Sequence, residues 1–234
     1  MIWQRGSDAI GVRIVELLQR RMFPVVGHNL DPFRIQAYMT EPPIVVIYAH
    51  PAPRRSRVNR PLAEALAALP HVEVRELYRL YVDYDIDVVA EQRLLSTAET
   101  LVLQFPVRWY SVPALLKLWL DEVLENGWAF GPGGTALRGK SMLAVISTGG
   151  HADAYGPEGT HGHPIGDFLL PLEQTALLCG MTWLPPVVLH DADNADSEAV
   201  ALHIEHVARH LPALPLPAET QQWTEGELAG GDAS

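Results

Sequence analysis

Short apolar segments alternate with helical patterns in a regular order between residues 43 and about 211. Strand patterns fall at 44–48, 72–77, 101–105, 141–147 and 182–189, and helical patterns at 57–69, 87–97, 113–124, 165–179 and 196–210. The first, third and fourth strand segments are apolar almost throughout, which is typical of strands buried on both faces. Five β/α units of this length predict a doubly wound α/β fold, with a five-stranded parallel sheet in the order 2-1-3-4-5.

The two ends of the chain lack this alternation. Residues 1–40 hold one plausible amphipathic helix and a stretch interrupted by Pro, Asn and Gly, and Met39 offers a second start just before the first strand. Residues 212–234 are rich in Pro, Gly and acidic residues, with little to bury. We therefore expect an N-terminal extension or over-long start at 1–40, one domain at 41–211 and a flexible C-terminal tail at 212–234.

Charge and cysteine content narrow the classes of function. The formal net charge of −11 argues against nucleic acid as the main partner, because binding the phosphate backbone needs a basic face. The single cysteine, Cys179, rules out an intrachain disulfide and favours a reducing compartment. No run reaches the ~18 apolar residues of a membrane span, and the N-terminus lacks the pattern of a signal peptide. We expect a cytoplasmic protein without membrane insertion.

The loop after the first strand predicts an anion site. The strand at 44–48 ends in a polar, basic loop, 49–58, which leads into a helix. The first N–H groups of a helix have no partner within the helix, and its dipole is positive at that end, so phosphate binds there readily. Ser56 and Asn59 can add side-chain donors, and Arg57 adds charge. An ordinary turn capped by Ser56 remains the alternative interpretation.

Two further loops should meet this one, because ligands of open parallel sheets bind at the carboxyl ends of the strands where the order reverses. The loop after the third strand carries Trp109 and Tyr110, and the loop after the fourth carries Gly149 and Gly150. An aromatic wall and a Gly-Gly amide patch beside a phosphate site favour a flat phosphorylated heteroaromatic, of which flavin is the natural candidate. Packing of the two aromatic residues against the next helix is the alternative.

Two other patterns are weaker. Residues 134–141, GTALRGKS, match a phosphate-binding P-loop, but they run directly into an apolar strand, whereas that loop needs a helix after it. The histidine-rich loop at 151–163 has spacings too loose to predict a metal site.

Five motifs carry a more specific resemblance. AHPAPRRSRVN, PVRWYSVPALLKLWLDEVLENGWAFG, GGTALRGK, STGG and LLCGMTWLPP together resemble the NAD(P)H:quinone oxidoreductases of flavodoxin-like fold. They are most similar to the short branch of that family, the ancillary oxidoreductase subunits of the glutathione-gated potassium efflux system. The resemblance covers about residues 43–210 and neither end.

The resemblance implies a set of site residues. Flavin contacts would come from His50, Ser56, Arg57, Val58, Asn59, Val107, Arg108, Trp109, Tyr110, Ser147, Thr148, Gly149 and Gly150. Tyr155 and His161 match the positions that face the nicotinamide or quinone in longer members of the family. The alternative for these two is a solvent-exposed loop. Arg108 stands where the family usually has Gln, and Arg can donate a hydrogen bond but cannot accept one.

The activity that follows from the resemblance is transfer of a hydride from NAD(P)H to quinones or similar electrophiles by a ping-pong mechanism. FMN is favoured over FAD, and a homodimer is expected. The alternative is a regulatory ancillary subunit of a potassium/proton antiporter with secondary redox activity, which would place the protein at the inner membrane through its partner.

Overall fold

A computed structural model describes residues 44–69 and 71–211. The N-terminal extension expected at 1–40 and the tail expected at 212–234 lie outside the described residues.

The described residues alternate between strands and helices in chain order. The strands are β1 (Ile44–Tyr48), β2 (Val72–Glu76), β3 (Thr100–Pro106), β4 (Ser141–Ser147), β5 (Thr182–Trp183) and β6 (Val187–Leu189). The α-helices are α1 (Asn59–Ala67), α2 (Leu77–Leu80), α3 (Val88–Thr97), α4 (Ala114–Val123), α5 (Leu170–Leu178) and α6 (Ser197–His210). Short 3-10 turns occur at Pro53–Arg55, Ala152–Ala154 and Ile165–Leu169.

The sheet is parallel with the order β2-β1-β3-β4-β5, which confirms the predicted flavodoxin-like fold. The single fifth strand predicted at 182–189 is wrong in one respect, because it consists of two pieces. β5 pairs with the start of β4, and β6 pairs with its end. Pro185 and Pro186 separate the pieces, since proline has no N–H to donate to a sheet.

Two helix predictions also change. The helix predicted at 165–179 begins as the 3-10 turn Ile165–Leu169 and becomes α-helical only from Leu170. Pro171 lies in the first turn of α5, where the N–H that proline lacks would have no partner in any case. The short helix α2 was not predicted, and it ends strand β2 at Glu76, one residue before the predicted boundary.

The sheet is covered on both faces, which explains the continuous apolar strands. Residues of alternate positions face opposite sides, so Val45 and Ile47 belong to one apolar cluster while Ile44 and Val46 belong to the other. The first cluster includes buried residues of α2, α3, α4 and α5, and the second includes those of α1 and α6. The loops at the carboxyl ends of the strands therefore rest on a packed core.

A buried carboxylate, Glu91, fastens one side of this core. The side chain of Arg75 donates to Glu91 Oε1 from Nε at 3.0 Å and from Nη2 at 2.5 Å. The hydroxyl of Tyr81 donates to the same oxygen at 2.5 Å, and Trp119 Nε1 donates to Oε2 at 3.1 Å. Burial, followed by the carboxylate, raises the pKa of Tyr81 to about 12. The network joins β2, α3 and α4.

The segment that matches the P-loop pattern has a structural role. Residues 134–141 lead into β4, and Lys140 Nζ donates to the backbone carbonyl of Ser96 at 3.0 Å and to that of Ala98. These carbonyls lie at the C-terminal end of α3, where a cation is stabilising because the helix dipole is negative there. A helix N-terminus does not follow the lysine.

In the described ranges, no helix is long and apolar enough to cross a membrane.

Candidate functional site

Backbone hydrogen bonds hold the loops at the carboxyl edge of the sheet together. The N–H of Ala49 donates to the carbonyl of Gln104, and that of Val107 donates to the carbonyl of Ser147, each at 2.9 Å. The N–H of Thr148 donates to the carbonyl of Leu189 at 2.9 Å. The three loops predicted to converge, after β1, β3 and β4, therefore meet, and the loop after β6 joins them.

His50 lies buried at the start of the first loop. Its Nδ1 accepts a hydrogen bond from the N–H of Ala52 at 3.0 Å, so the neutral ring carries its proton on Nε2. Burial, and then the positive charge of Arg108, lowers the pKa of His50. A neutral His50 can thus offer one Nε2–H donor at neutral pH.

The N-terminus of α1 has features of both interpretations of the first loop, the anion site and the turn capped by Ser56. Ser56 Oγ accepts a hydrogen bond from the N–H of Arg60 at 3.0 Å, so the serine does satisfy the first turn. Among the described residues, however, nothing accepts from the backbone N–H groups of Arg57, Val58 and Asn59. We call these three groups the amide cradle. The cap by Ser56 leaves the cradle intact, because this hydrogen bond satisfies a different N–H group, that of Arg60.

The side chain of Asn59 is used inside the protein. Its Nδ2 donates to Ser147 Oγ at 2.7 Å, and its backbone carbonyl accepts from Gln104 Nε2 at 2.6 Å. Asn59 and Ser147 are both buried, so these contacts fix α1 against the ends of β3 and β4. The donor that Asn59 offers to an anion is its backbone N–H.

Arg57 ties the first loop to the loop after β6. Its guanidinium donates to the backbone carbonyls of Asp193 at 3.2 Å and Ala195 at 3.3 Å. The sequence indicated only a charge beside the phosphate site. The structure adds a second use for that side chain, because the fourth loop is held by it.

The second loop is a tight turn with a strained backbone. The N–H and carbonyl groups of Arg108 and Ser111 pair reciprocally, at 2.9 and 3.0 Å, around Trp109 and Tyr110. These two residues have φ values of 47° and 62°, in the left-handed region that non-glycine residues rarely adopt. No described residue accepts from their N–H groups. Strain of this kind, ~1–3 kcal/mol per residue, accumulates at functional sites.

The side chains of this turn show whether Trp109 and Tyr110 pack against the next helix or remain open to a ligand. Trp109 is 93% exposed, so it does not pack against the following helix in this chain. Tyr110 packs against Phe168, with ring centroids 5.1 Å apart, and its hydroxyl lies 3.5 Å from Nδ1 of His161. The packing interpretation is therefore wrong for Trp109, and Tyr110 faces the predicted catalytic loop.

The third loop has a buried threonine and two glycines. Thr148 Oγ1 donates to the carbonyl of Gly150 at 2.9 Å, and the N–H of Asp191 donates to the same carbonyl at 3.0 Å. Among the described residues, none accepts from the N–H groups of Gly149 and Gly150. A methyl group on Gly150 would lie 3.0 Å from His161 Nε2 and 3.2 Å from Tyr155 Cε2, so a side chain at this position would crowd both rings.

The two predicted catalytic residues lie together above Gly150. The ring centroids of Tyr155 and His161 are 4.6 Å apart, and both side chains are partly exposed. Of the other loop histidines, His151 pairs with Asp191 and His163 with Asp167, each at 3.2 Å. Across the described ranges, no group of three or more His, Cys, Asp and Glu side chains is placed to hold a metal ion.

Sequence reasoning missed the contribution of the loop after β6. His190 contacts Tyr155, with ring centroids 5.2 Å apart, and its Nδ1 lies 3.0 Å from Thr148 Oγ1. Phe168, which lies outside every motif described above, packs against Tyr110 and Tyr155. The predicted strand order contained the signal for His190, because it places the end of the fifth strand beside the STGG loop.

The donors of these loops fit a flavin mononucleotide. The amide cradle and Ser56 offer several donors at a helix N-terminus, as a dianionic phosphate requires. The N–H groups of Trp109, Tyr110, Gly149 and Gly150 suit the carbonyl and nitrogen edge of a flat polar ring. These groups have no acceptor among the described residues, so a ligand that accepts at each would satisfy them.

Comparisons with known proteins agree with this geometry. A family model described as a flavodoxin-like fold matches residues 42–211. The glutathione-regulated potassium-efflux system ancillary protein KefF of Salmonella arizonae is 48% identical over 172 residues, which make up 73% of this chain and 96% of KefF.

Two solved structures extend the comparison. The general stress protein 14 of Treponema denticola, in complex with FMN, is 39% identical with a TM-score of 0.66, and the match covers 74% of this chain and 97% of that one. An NADPH-quinone reductase of P. pentosaceus is 30% identical with a TM-score of 0.64, covering 72% of this chain and 96% of that one. The chain therefore belongs to the flavodoxin-like fold family, among its NAD(P)H:quinone oxidoreductases and KefF-type ancillary proteins.

Proposed function

We propose that this protein is a flavin-dependent oxidoreductase that transfers a hydride from NAD(P)H to quinones or similar electrophiles. The observation that carries the proposal is a set of N–H donors on three loops that meet, without an acceptor among the described residues, together with the pair Tyr155 and His161 beside Gly150. The N–H donors suit a phosphate and a flat polar ring, and Tyr155 and His161 suit an electron acceptor that must also be protonated.

FMN is the proposed cofactor, with FAD as the alternative. The amide cradle ends the site with donors to a terminal phosphate, and the Treponema denticola relative was solved in complex with FMN. When bound, FMN supplies the hydride chemistry, taking a hydride from NAD(P)H and passing it to the acceptor, so that the two substrates react in turn by a ping-pong mechanism.

The protein's own groups would stabilise charge and deliver a proton. The N–H groups of Gly149 and Gly150 would face the negative charge that develops on the ring edge, and fixed donors cost no reorganisation during the reaction. His161, as its imidazolium, would donate a proton to the developing quinol oxygen, as a positioned general acid does. The Tyr110 hydroxyl, 3.5 Å from Nδ1, would orient the ring so that Nε2 is the nitrogen left to give up its proton, and the neutral imidazole remains afterwards.

A homodimer is the proposed assembly. A cleft of about 350 Å³ lies between α4 and α5, and its lining includes Tyr110, Leu120 and Phe168. Leu178 lines the cleft, and Leu170, Leu177 and Leu178 of α5 are each more than half exposed, which leaves apolar surface in water. This face adjoins the aromatic turn, because Tyr110 and Ser111 line the cleft, and a second copy seated there is proposed to cover the exposed ring of Trp109 as well. Light scattering on wild type and on Leu177→Glu tests this, with a monomeric wild type contradicting it.

The second candidate function is a regulatory subunit of a potassium/proton antiporter with secondary redox activity. The similarity to KefF favours it, because the match spans 96% of KefF. In that case the protein would be cytoplasmic and peripheral at the inner membrane through its partner. The two functions are compatible, and turnover by the isolated protein supports the first without removing the second.

The deciding experiment is the absorbance spectrum of the purified protein, followed by mass analysis of the cofactor that heat releases. We expect bound FMN and steady NAD(P)H:quinone turnover. The His161→Gln variant should slow the quinone half-reaction by up to ~10²–10⁴-fold and change reduction by NAD(P)H much less. A colourless protein that takes up no added FMN or FAD would refute the proposal.

A further inference from the structure

His190 makes two contacts at the edge of the site that no motif predicted. It follows β6 directly, and its Nδ1 lies 3.0 Å from Thr148 Oγ1. Thr148 Oγ1 lies 2.9 Å from the carbonyl oxygen of Gly150. On its other side, the His190 ring contacts Tyr155, which in turn contacts His161.

The number of protons decides the direction of the hydrogen bonds. Thr148 has one hydroxyl proton and two neighbours that could accept it, Gly150 O and His190 Nδ1. If the proton pointed to His190, two oxygen atoms 2.9 Å apart would face each other without a hydrogen between them. If His190 carries its proton on Nδ1, both contacts are satisfied. The chain then runs from His190 Nδ1–H to Thr148 Oγ1, and from the Thr148 hydroxyl to Gly150 O.

The Gly150 carbonyl is therefore held from two directions, by Thr148 and by the N–H of Asp191. A peptide group is planar, so fixing this carbonyl also fixes the N–H of His151 in the same plane. The N–H groups of Gly149 and Gly150, which belong to the donor set that fits the flavin edge, lie in the two preceding peptide groups. The first of these is held where the N–H of Ala192 donates to the carbonyl of Thr148 at 2.9 Å, so contacts on both sides restrict rotation of the Gly149–Gly150 peptide. Because Thr148 is only 2% exposed, water has little access to replace a lost donor.

We propose that His190 is a positioning residue, which orients the Gly149–Gly150 amide patch through Thr148 and supports Tyr155 with its ring. The proposal rests on the proposed function, because the patch matters only if a flavin edge or a similar acceptor binds there. His190 does not touch the reacting atoms in this scheme. It keeps the donors in place before the ligand arrives.

Two substitutions separate its two contacts. His190→Phe keeps a ring against Tyr155 and removes the donor to Thr148, whereas His190→Asn keeps a donor near the Nδ1 position and removes the ring. His206→Phe is the matched control, since His206 is exposed on α6 outside the site. Thr148→Val removes the hydroxyl through which His190 is proposed to act.

The first measurement needs no cofactor. Nitrogen-15 NMR of histidine in the flavin-free protein should show a neutral His190 with its proton on Nδ1 at pH 7. A proton on Nε2 would overturn the proposal. This readout is independent of the proposed function, so a protein that binds no flavin would refute that function while the tautomer still decides the hydrogen-bond chain.

The second measurement is the dissociation constant of FMN. His190→Phe should weaken FMN binding about three- to tenfold, as the loss of one buried hydrogen bond does, and His190→Asn should restore most of it. In the Thr148→Val background, His190→Phe should have no further effect. Equal affinities for wild type, His190→Phe and His206→Phe would overturn the proposal.

Discussion

Replacement of Gly150 by alanine should impair the proposed proton donor without removing any polar group. The new methyl group would lie 3.0 Å from His161 Nε2 and 3.2 Å from Tyr155 Cε2, whereas ordinary contacts begin near 3.4 Å. Gly150 is not among the glycines with positive φ, so alanine suits its backbone. The strain must be relieved by movement of the two rings, and the backbone N–H of residue 150 is retained.

The size of the effect follows from this overlap. The His161 ring must move by about 0.4 Å to restore an ordinary contact. A displacement of ~1 Å at a reacting group costs up to ~10²-fold in rate, so a logarithmic scaling gives roughly a sixfold loss for this shift. We expect the quinone half-reaction to slow by about five- to tenfold, and reduction by NAD(P)H to change by less than about twofold.

Stopped-flow measurement of the two half-reactions checks this, with Gly149→Ala as the matched control. A methyl group on Gly149 would meet only Asp193 Oδ2 at 3.4 Å, an ordinary contact. In a His161→Gln background, Gly150→Ala should cost little more, because the displaced proton donor is already gone. Equal slowing in the two alanine variants, or additive losses in the double variant, would refute the reasoning.

Three further predictions concern stability and the P-loop look-alike. Glu91→Ala should lower the free energy of unfolding, measured in urea, by about 3–5 kcal/mol, because it leaves the partly buried Arg75 without its ion-pair partner. Glu64→Ala is the control, and it should lower that free energy by about 0.5 kcal/mol, because its pair with Arg60 is exposed. Burial, and then His206, lowers the pKa of His203 to about 4, so the unfolded chain binds this proton first as pH falls below 6.5. Wild type should therefore lose up to about 3 kcal/mol more than His203→Gln between pH 7 and 4. Lys140→Ala should lower the free energy of unfolding by about 1 kcal/mol and leave FMN content unchanged, and a loss of FMN would restore the phosphate-site interpretation.

The sequence was sufficient for the architecture because the signals involved are local and repeated. Continuous apolar runs such as 44–48 and 141–147 indicate strands covered on both faces, and each was followed by a helical period. The break in the fifth strand was also readable, since Pro185 and Pro186 cannot donate to a sheet. Helix α2 was not, because four residues are too few to show a period.

The site was predictable only down to the level of loops. Strand order brought the STGG loop and the aromatic turn together, but it could not say which side chains face inward. Asn59 was a plausible anion donor by sequence, and only the structure shows its amide donating to Ser147. Nothing in the local sequence distinguishes Glu91 from an exposed helix residue, although four donated hydrogen bonds hold it in the core. Such contacts join residues far apart in the chain, where no local pattern records them.

The broken fifth strand has a consequence for self-association by β-pairing. β4 consists of seven buried residues, SMLAVIS. On the edge that faces away from β3, only five of its positions are paired, two with β5 and three with β6. The prolines and short lengths make this edge a poor template for a foreign strand while it is folded. Detachment of β5 and β6 would instead expose an apolar, uncharged strand with its hydrogen-bonding groups free. Aggregation from native-like states should therefore begin at this end of the sheet, and conditions that loosen α6 should promote it.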